Sequence, residues 1–314
     1  MKNVAIIGAG ISGTILGSAL QSKFSVTIFE KSRGVGGRMS TRRFEDFYFD
    51  HGLPCFNSKN SDFLKFLKAN GVDQWSGDSY DFDTRKLSKQ NFLVANPSMN
   101  NLCKILSKDL DVRLSVEVSP LLKQEQNKWL LFDKNLNCLG AFDFVLSTAP
   151  ISQTRNLFSN FAKEKLPQAI EEKPCFSLML GFKEKNLTPD WIVAHSNKNP
   201  IKSIFVNSSK PQRNSENSCF VAHSSNSWAK ENLEKDLSQI EIMLTENFTQ
   251  LTGIDVGKAS YVAAHRWRFS AAVNEKKSEP FFDSDLNLGA TGDWVFESDL
   301  ESIWKGARLL ADKI

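Results

Sequence analysis

Hydrophobic and polar positions along the chain sort into strand-like and helix-like stretches from the first residues onward. Residues 3–7 (NVAII) form a short apolar run, residues 11–21 place apolar side chains at helical spacing, and residues 26–29 (VTIF) form a second strand-like run. That order predicts a βαβ unit. The stretch NPSMNNLCKILSKDL reads as a helix capped near Ser98, followed by a strand over residues 112–115. Residues 116–123 and 128–133 alternate with a period of two and predict a β-meander, and residues 144–148 predict a strand ending in small side chains. Farther on, residues 175–182, 201–206, 219–223 and 261–267 read as strands, and residues 233–251 as a long amphipathic helix. The polar run over 207–218 is predicted to be a surface turn or loop. Near the C-terminus a strand leads into Gly292 and Asp293 and then a last helix, for which Ser298 and Glu301 have the spacing of a capping box.

Composition adds bounds rather than detail. The chain has 314 residues, 41% of them hydrophobic, which is enough apolar material for a large core. The net charge of +3 is mild, and basic residues are interspersed with acidic ones, so nucleic acid is not an expected partner. Cys55, Cys103, Cys138, Cys175 and Cys219 form no C-x-x-C pair and have no metal-ligand spacing. The expectation is a reducing compartment and no metal site. The apolar run over residues 4–7 is too short for a signal segment, and no run approaches the roughly 18 apolar residues of a membrane span. A cytoplasmic protein without a membrane partner is expected.

The chemistry begins at the first turn. Gly8, Gly10 and Gly13 form G-x-G-x-x-G between the first strand and the first helix. The first glycine permits the tight turn, the second admits a pyrophosphate to the backbone, and the third lets helix and strand pack closely. The amides around Ile11 and Ser12, at the helix N-terminus, then face the phosphate. Glu30 closes the second strand at the spacing where a carboxylate accepts from an unphosphorylated adenosine ribose, with Lys31 beside it. On these residues alone the dinucleotide is either NAD or FAD. After Glu30 come Gly36, Gly37 and Arg38: two glycines that allow positive φ or a close backbone approach, then a guanidinium suited to phosphate oxygens. In AAHRWRFSAA, strand alternation sends His265 and Trp267 to one face and Arg266 and Arg268 to the other. No second glycine fingerprint and no Ser/His/Asp constellation is present in the sequence.

The stretch EKSRGVGGRMSTRR resembles the E-x(6)-G-R type motif of the flavin amine oxidase and phytoene desaturase superfamily, and within it is most similar to the renalase-like group. The resemblance implies an α/β fold: a Rossmann-like FAD-binding domain of the glycine-arginine type, βαβ plus β-meander, with a mixed α+β substrate domain. It assigns residues 1–58, 91–158 and 285–314 to the FAD domain and 59–90 and 159–284 to the substrate domain. It also implies that non-covalent FAD has its pyrophosphate between the first glycine turn and Arg38, with Gly37 adjoining, and that Met39 and Thr41 approach the isoalloxazine. Asp50, His51 and Gly52 would run along the flavin, although Leu53, Pro54 and Cys55 depart from the pattern of relatives. Val118 would hold the adenine and Thr148 would lie near the dinucleotide. Gly292 and Asp293 would bind the ribityl chain, and Asp299 and Leu300 would open a helix aimed at the flavin. His265, Trp267 and Trp294 are the substrate-pocket candidates.

The activity implied is hydride transfer from a small-molecule substrate to flavin N5 with O2 as acceptor, the substrate being an isomeric dihydronicotinamide nucleotide oxidised to NAD(P)+. Flavin amine oxidation is the alternative enzyme. A non-catalytic flavin-binding redox sensor or scaffold is the alternative of another class.

Overall fold

The strand Asn3–Ile7 forms where the apolar run predicts it, and Val4, Ala5 and Ile6 are completely buried. A strand so enclosed needs neighbours on both edges. Ser25–Glu30 pairs with it in parallel on one side and Phe144–Ser147 on the other. Asp111–Leu114 extends this sheet in parallel beyond Ser25–Glu30, and Leu288–Ala290 beyond Phe144–Ser147. An antiparallel strand, Phe281–Asp283, closes the edge and completes a six-stranded sheet. The computed structural model describes residues 1–314 apart from Lys123, Lys185, Asn186, Thr188 and Ser215.

The chain divides into two compact units. The first comprises Met1–Gly37, Leu102–Glu171 and Ala271–Ile314, and the second Arg38–Asn101 and Glu172–Ser270. By packing, residues 38–58 and 91–101 therefore lie in the second unit.

In the first unit the six-stranded sheet is joined by helices Ile11–Leu20 and Leu300–Ala311, which pack on one another. A core cluster around Phe29, Trp129, Val145, Phe158 and Trp294 fills its interior. Three expectations need correction here. The meander is built from Gln124–Glu125, Lys128–Phe132 and Cys138–Phe142. Residues 116–122 contribute only an isolated bridge between Val118 and Asp133, with the Ser119 amide donating to Phe132 O, because Pro120 lacks an N–H and the Leu121 amide turns away to Leu157 O; Lys123 lies outside the described residues. The Ser98 hydroxyl donates to the Asn100 side chain, so it does not cap a helix, which begins only at Asn101. The last helix is capped by Asp299, whose carboxylate accepts from the Ser302 amide, and not by Ser298.

The second unit is built on a seven-stranded mixed sheet. Its order is Tyr261–Val273, Glu171–Phe182, Ser218–Ser224, Ile201–Val206, Val193–His195, Val72–Asp81 and Lys86–Ala95. Helix Leu237–Thr252 buries Ile240, Leu244 and Phe248, four residues apart, in a cluster with Phe220 and ends where Gly253 takes φ 72°. A short hairpin, Arg42–Phe44 with Phe47–Phe49, lays Phe47 against Gly181, where a Cβ would stand 2.7 Å from the ring. The polar run over 207–218 is not simply a surface loop. It opens with a 3-10 turn, Asn207–Ser209, and Asn207, Ser208 and Lys210 are buried.

Candidate functional site

In the first unit, two glycine turns brace each other. Gly8 has φ 108° and donates its amide to Phe29 O at 2.8 Å. A Cβ there would lie 2.9 Å from Thr148 Oγ1, and one on Gly13 would lie 2.0 Å from Gly8 O. The hydroxyl of Thr148 donates to the carbonyls of Ile7 and Gly8 and so pins the turn. On the other side, Gly36 N donates to Ala9 O at 2.9 Å, and Gly37, at φ 52°, faces Gly10 so closely that a Cβ would stand 3.2 Å from its Cα. Two side-chain-free backbones at that distance leave the mouth of the first helix open.

That helix begins without a side-chain cap at Gly10 and without an acidic residue in its first turn. Its leading amides keep their hydrogen-bonding capacity, and the helix dipole adds roughly half a positive charge. The Ser12 hydroxyl is buried with no hydrogen-bond partner among the described residues. An anionic group suits these donors, and the glycine cradle leaves room for it.

Glu30 stands beside the turn. Its Oε2 accepts from the Ala9 amide and its Oε1 from the Ser32 amide, both at 2.8 Å, so the carboxylate is held in one orientation with acceptor capacity left over. Lys31 reaches the Gln153 side chain on the surface, and Val118 is half-buried against the core. At the C-terminal motif, a Cβ on Gly292 would meet Trp294 Nε1 at 2.7 Å, and buried Asp293 accepts from the Ser298 hydroxyl at 3.2 Å. Asp299 caps the helix and Leu300 is buried. Trp294 is corrected from pocket to core: it has no exposed surface, packs in the hydrophobic cluster and donates Nε1 to Ala149 O.

The second unit holds the residues that follow. Arg38 is exposed only in part and donates to Ser270 O at 3.3 Å; its own carbonyl accepts from the Leu53 amide at 2.7 Å. Gly52 lies against that carbonyl, with only 1.9 Å available to a Cβ. Met39 is buried, and Thr41 donates its hydroxyl to Asp50 Oδ1 at 2.6 Å.

Asp50 is the centre of a fully buried charge cluster. Lys210 Nζ and an Arg213 terminal nitrogen both lie 2.9 Å from its Oδ2, and the Met99 amide donates to Oδ1. Burial alone would raise the carboxyl's pKa, but the two cations outweigh it and, with Thr41 and Met99, hold it well below the usual carboxylate range. Burial also depresses Lys210, which donates to Asn207 Oδ1 at 2.7 Å and lies over the Trp75 ring. Arg213 further donates to Ala95 O and Asn96 Oδ1. Two cations thus face one anion. Burial pushes the nearby Cys55 thiol up to about 12, so it is no thiolate at neutral pH.

The next residue organises an aromatic cluster. The His51 carbonyl accepts from Ser177 Oγ at 2.6 Å, His223 Nε2 at 3.0 Å and Trp267 Nε1 at 3.1 Å. The His51 ring lies 5.0 Å from His265 and 5.2 Å from Trp267, and those two are 4.4 Å apart. As alternation predicts, Arg266 and Arg268 lie on the other face: Arg266 donates to Lys235 O and Arg268 pairs with Glu234. Burial drives the histidines down, His51 to about 3 and His223 and His265 to about 4, so all three are neutral at pH 7.

The sequence-named residues thus gather within each unit: Gly8, Gly10, Gly13, Glu30, Gly37 and Thr148 in the first; Thr41, Asp50, His51, Gly52, His265 and Trp267 in the second. Sequence reasoning missed Lys210, Arg213, Ser177 and the role of His223. Two basic residues close together in a polar run carry no signal of burial, although a buried Asp50 demands a counter-charge. Among the described residues no group of three or more His, Cys, Asp or Glu side chains is placed to hold a metal ion, and no helix is long and apolar enough to cross a membrane.

Comparison with known proteins locates this architecture. Residues 6–69 match the model of the NAD(P)-binding Rossmann-like domain. A 50-residue stretch, 16% of this chain, is 46% identical to 4,4'-diapophytoene desaturase (4,4'-diaponeurosporene-forming) of Staphylococcus haemolyticus, and covers 10% of that relative. Across 99% of the chain the fold is similar to a candidate protoporphyrinogen oxidase of Exiguobacterium sp. 255-15, with a TM-score of 0.76, 11% identity and 98% of that chain covered. Cyclohexylamine oxidase of Brevibacterium oxydans gives a TM-score of 0.74 at 10% identity, with 99% of each chain covered. The fold is therefore mixed α/β with a Rossmann-like sheet, and is similar to the folds of these oxidases.

Proposed function

We propose that this chain is an FAD-dependent oxidoreductase of the renalase-like kind, oxidising an isomeric dihydronicotinamide nucleotide to NAD(P)+ with O2 as acceptor in the cytoplasm. The observation that carries the reading is the uncapped first helix, whose leading amides and unpartnered Ser12 hydroxyl lie beside a glycine cradle and a fixed Glu30 carboxylate. A dinucleotide offers a pyrophosphate for the first and a ribose for the second. The likeness to a desaturase and to an amine oxidase supports a flavin rather than a bare nicotinamide dinucleotide.

In this reading Gly8, Gly10, Ile11, Ser12, Gly13 and Arg38 hold the pyrophosphate and Glu30 the ribose, with Lys31, Gly37, Val118 and Thr148 shaping the adenosine side. Gly292, Asp293 and the amides opening at Asp299 and Leu300 serve the flavin side, as do Met39, Thr41, Asp50, His51 and Gly52. Residues 1–58, 91–158 and 285–314 then form the functional FAD domain, and the rest the substrate domain. FAD, when bound, would supply the redox chemistry, that of a two-electron acceptor that O2 can reoxidise. The chain's own residues bind and orient. Helix Leu300–Ala311 brings its positive end to the motif, and the Asp50 cluster anchors the segment after Gly37 through Thr41. His265 and Trp267, with His51 behind them, form an aromatic wall whose imidazoles are neutral at pH 7.

A second reading, amine oxidation, is favoured by the fold shared with cyclohexylamine oxidase. The deciding experiment is anaerobic mixing of the purified protein with isomeric dihydronicotinamides and with amines while the visible flavin absorbance is followed. Bleaching by the former alone is expected. Bleaching by amines alone would establish the second reading, and a colourless protein that FAD does not bind would overturn both.

A further inference from the structure

Arg42 is a cation without a counter-ion among the described residues. It starts the hairpin strand Arg42–Phe44 opposite Phe49, two residues before His51, and is half-buried. Among the described residues it has no hydrogen bond and no carboxylate partner, whereas its neighbour Arg43 lies over the Tyr48 ring and donates to Glu45 O. The cross-strand partner of Arg42, Phe49, and its same-face neighbour Phe44 both stack on Tyr261, with ring centroids 5.2 and 4.6 Å away, and Tyr261 lies on the same face of its strand as His265 and Trp267, so Arg42 is turned towards that face.

The imidazole of His265 also lacks a hydrogen-bond partner among the described residues, and it stacks edge-on against Trp267. Trp267 spends its indole N–H on the His51 carbonyl, so its ring is fixed and its remaining surface is apolar. An unpaired guanidinium, a neutral imidazole with free ring nitrogens and an immobilised indole are therefore turned to one face within one unit. Among the described residues neither Arg42 nor His265 pairs with a carboxylate, and the Asp50 carboxylate, next in sequence to His51, is taken by Lys210 and Arg213.

The geometry points to Arg42, His265 and Trp267 as the recognition point for an aromatic anion, the planar ring lying against Trp267 and its carboxylate or phosphate meeting Arg42 and His265. A guanidinium fork suits either anion, and a neutral imidazole adds one donor without adding charge. The same arrangement repels an ammonium group. The inference rests on the proposed function, in that it names the residues of the second unit that would meet the anionic group and the planar ring of the substrate.

The test is isothermal titration of the full-length purified protein with benzoate, phenyl phosphate and benzylamine. Benzoate and phenyl phosphate are expected to bind and benzylamine not to. Arg42→Ala should weaken the anions about tenfold to a hundredfold, in keeping with the loss of a hydrogen bond to a charged group. Arg42→Lys, which keeps the charge, should retain phenyl phosphate better than benzoate. Preference for phenyl phosphate over benzoate in the native protein would identify a phosphate-bearing substrate, the reverse a carboxylate. The inference is overturned if benzylamine binds as tightly as the anions, if no probe binds, or if Arg42→Ala leaves anion affinity unchanged while its circular dichroism matches the native protein. Because binding heat is read without turnover, a protein that binds benzoate through Arg42 but takes up no FAD would overturn the oxidoreductase reading alone.

Discussion

Lys210 holds its ammonium 2.9 Å from the Asp50 carboxylate, and neither side chain has any exposed surface. Arg213 reaches the same oxygen from another direction. Removing the anion strands two cations in the interior. Asp50→Ala is therefore expected to destabilise the fold by about 3–5 kcal/mol. Lys210→Met leaves a one-to-one pair with Arg213 and should cost clearly less. Urea unfolding of both variants checks the order, and a larger loss for Lys210→Met would refute the charge argument.

Stability should fall with pH in two stages. His51, His223 and His265 have folded pKa values near 3 to 4, below the ordinary histidine value of about 6.5. The unfolded chain then binds more protons than the folded one, so their contribution is complete above about pH 6.5 and is lost as pH falls towards 4. The Asp50 carboxyl, also depressed, keeps its contribution above about pH 4 and loses it below. Melting temperatures measured between pH 7.5 and pH 4 should decline, and His223→Gln should flatten the upper part of that decline. A flat profile from pH 7 to pH 4 would contradict the burial of neutral imidazoles.

Glycines in the first unit differ sharply in what they tolerate. A Cβ on Gly13 meets Gly8 O at 2.0 Å, whereas one on Gly34 meets nothing within 4 Å. Gly13→Ala should cost several kcal/mol, on the order of 3, because backbone must move. Gly34→Ala should be neutral or stabilising by up to about 1 kcal/mol. Thermal melts of the two variants give the comparison directly.

Glu30 fixes its carboxylate with two backbone donors and is the proposed ribose acceptor. Glu30→Ala is expected to weaken FAD binding by about 1–3 kcal/mol. Arg38→Ala should reduce the FAD retained through purification. Both are read from the ratio of flavin to protein absorbance, and retention equal to the native protein in either variant would remove that residue from the proposed site.

What is legible in the sequence follows from which forces act locally. The βαβ unit can be read because a continuous apolar run, helical spacing and glycines at fixed intervals each restrict the backbone independently. The hairpin Val72–Asp81 with Lys86–Ala95 leaves no such signature. Residues 86–91 are exposed on an edge strand, so no buried face imprints an alternation on them. The Lys210 and Arg213 contacts are hidden for another reason. Polar residues favour the surface unless a distant partner neutralises them, and Asp50 lies 160 and 163 positions away from them along the chain. In the final helix, Ser298 and Asp299 both have capping side chains, and tertiary contact decides between them: Ser298 is drawn to Asp293, leaving Asp299 to the helix.

The boundary between the compact units falls between Gly37 and Arg38, inside one motif, and the chain passes between them again at 101–102, 171–172 and 270–271. No single cut isolates either unit. A fragment ending at Ser270 loses the strands Phe281–Asp283 and Leu288–Ala290 and the helix Leu300–Ala311, so Phe144–Ser147 becomes a bare edge. Exchanging the second unit whole for that of a similar protein therefore means moving two internal segments together, 38–101 and 172–270, with four junctions to be matched at once. Under that constraint, single-residue change is the shorter evolutionary route to altering the second unit.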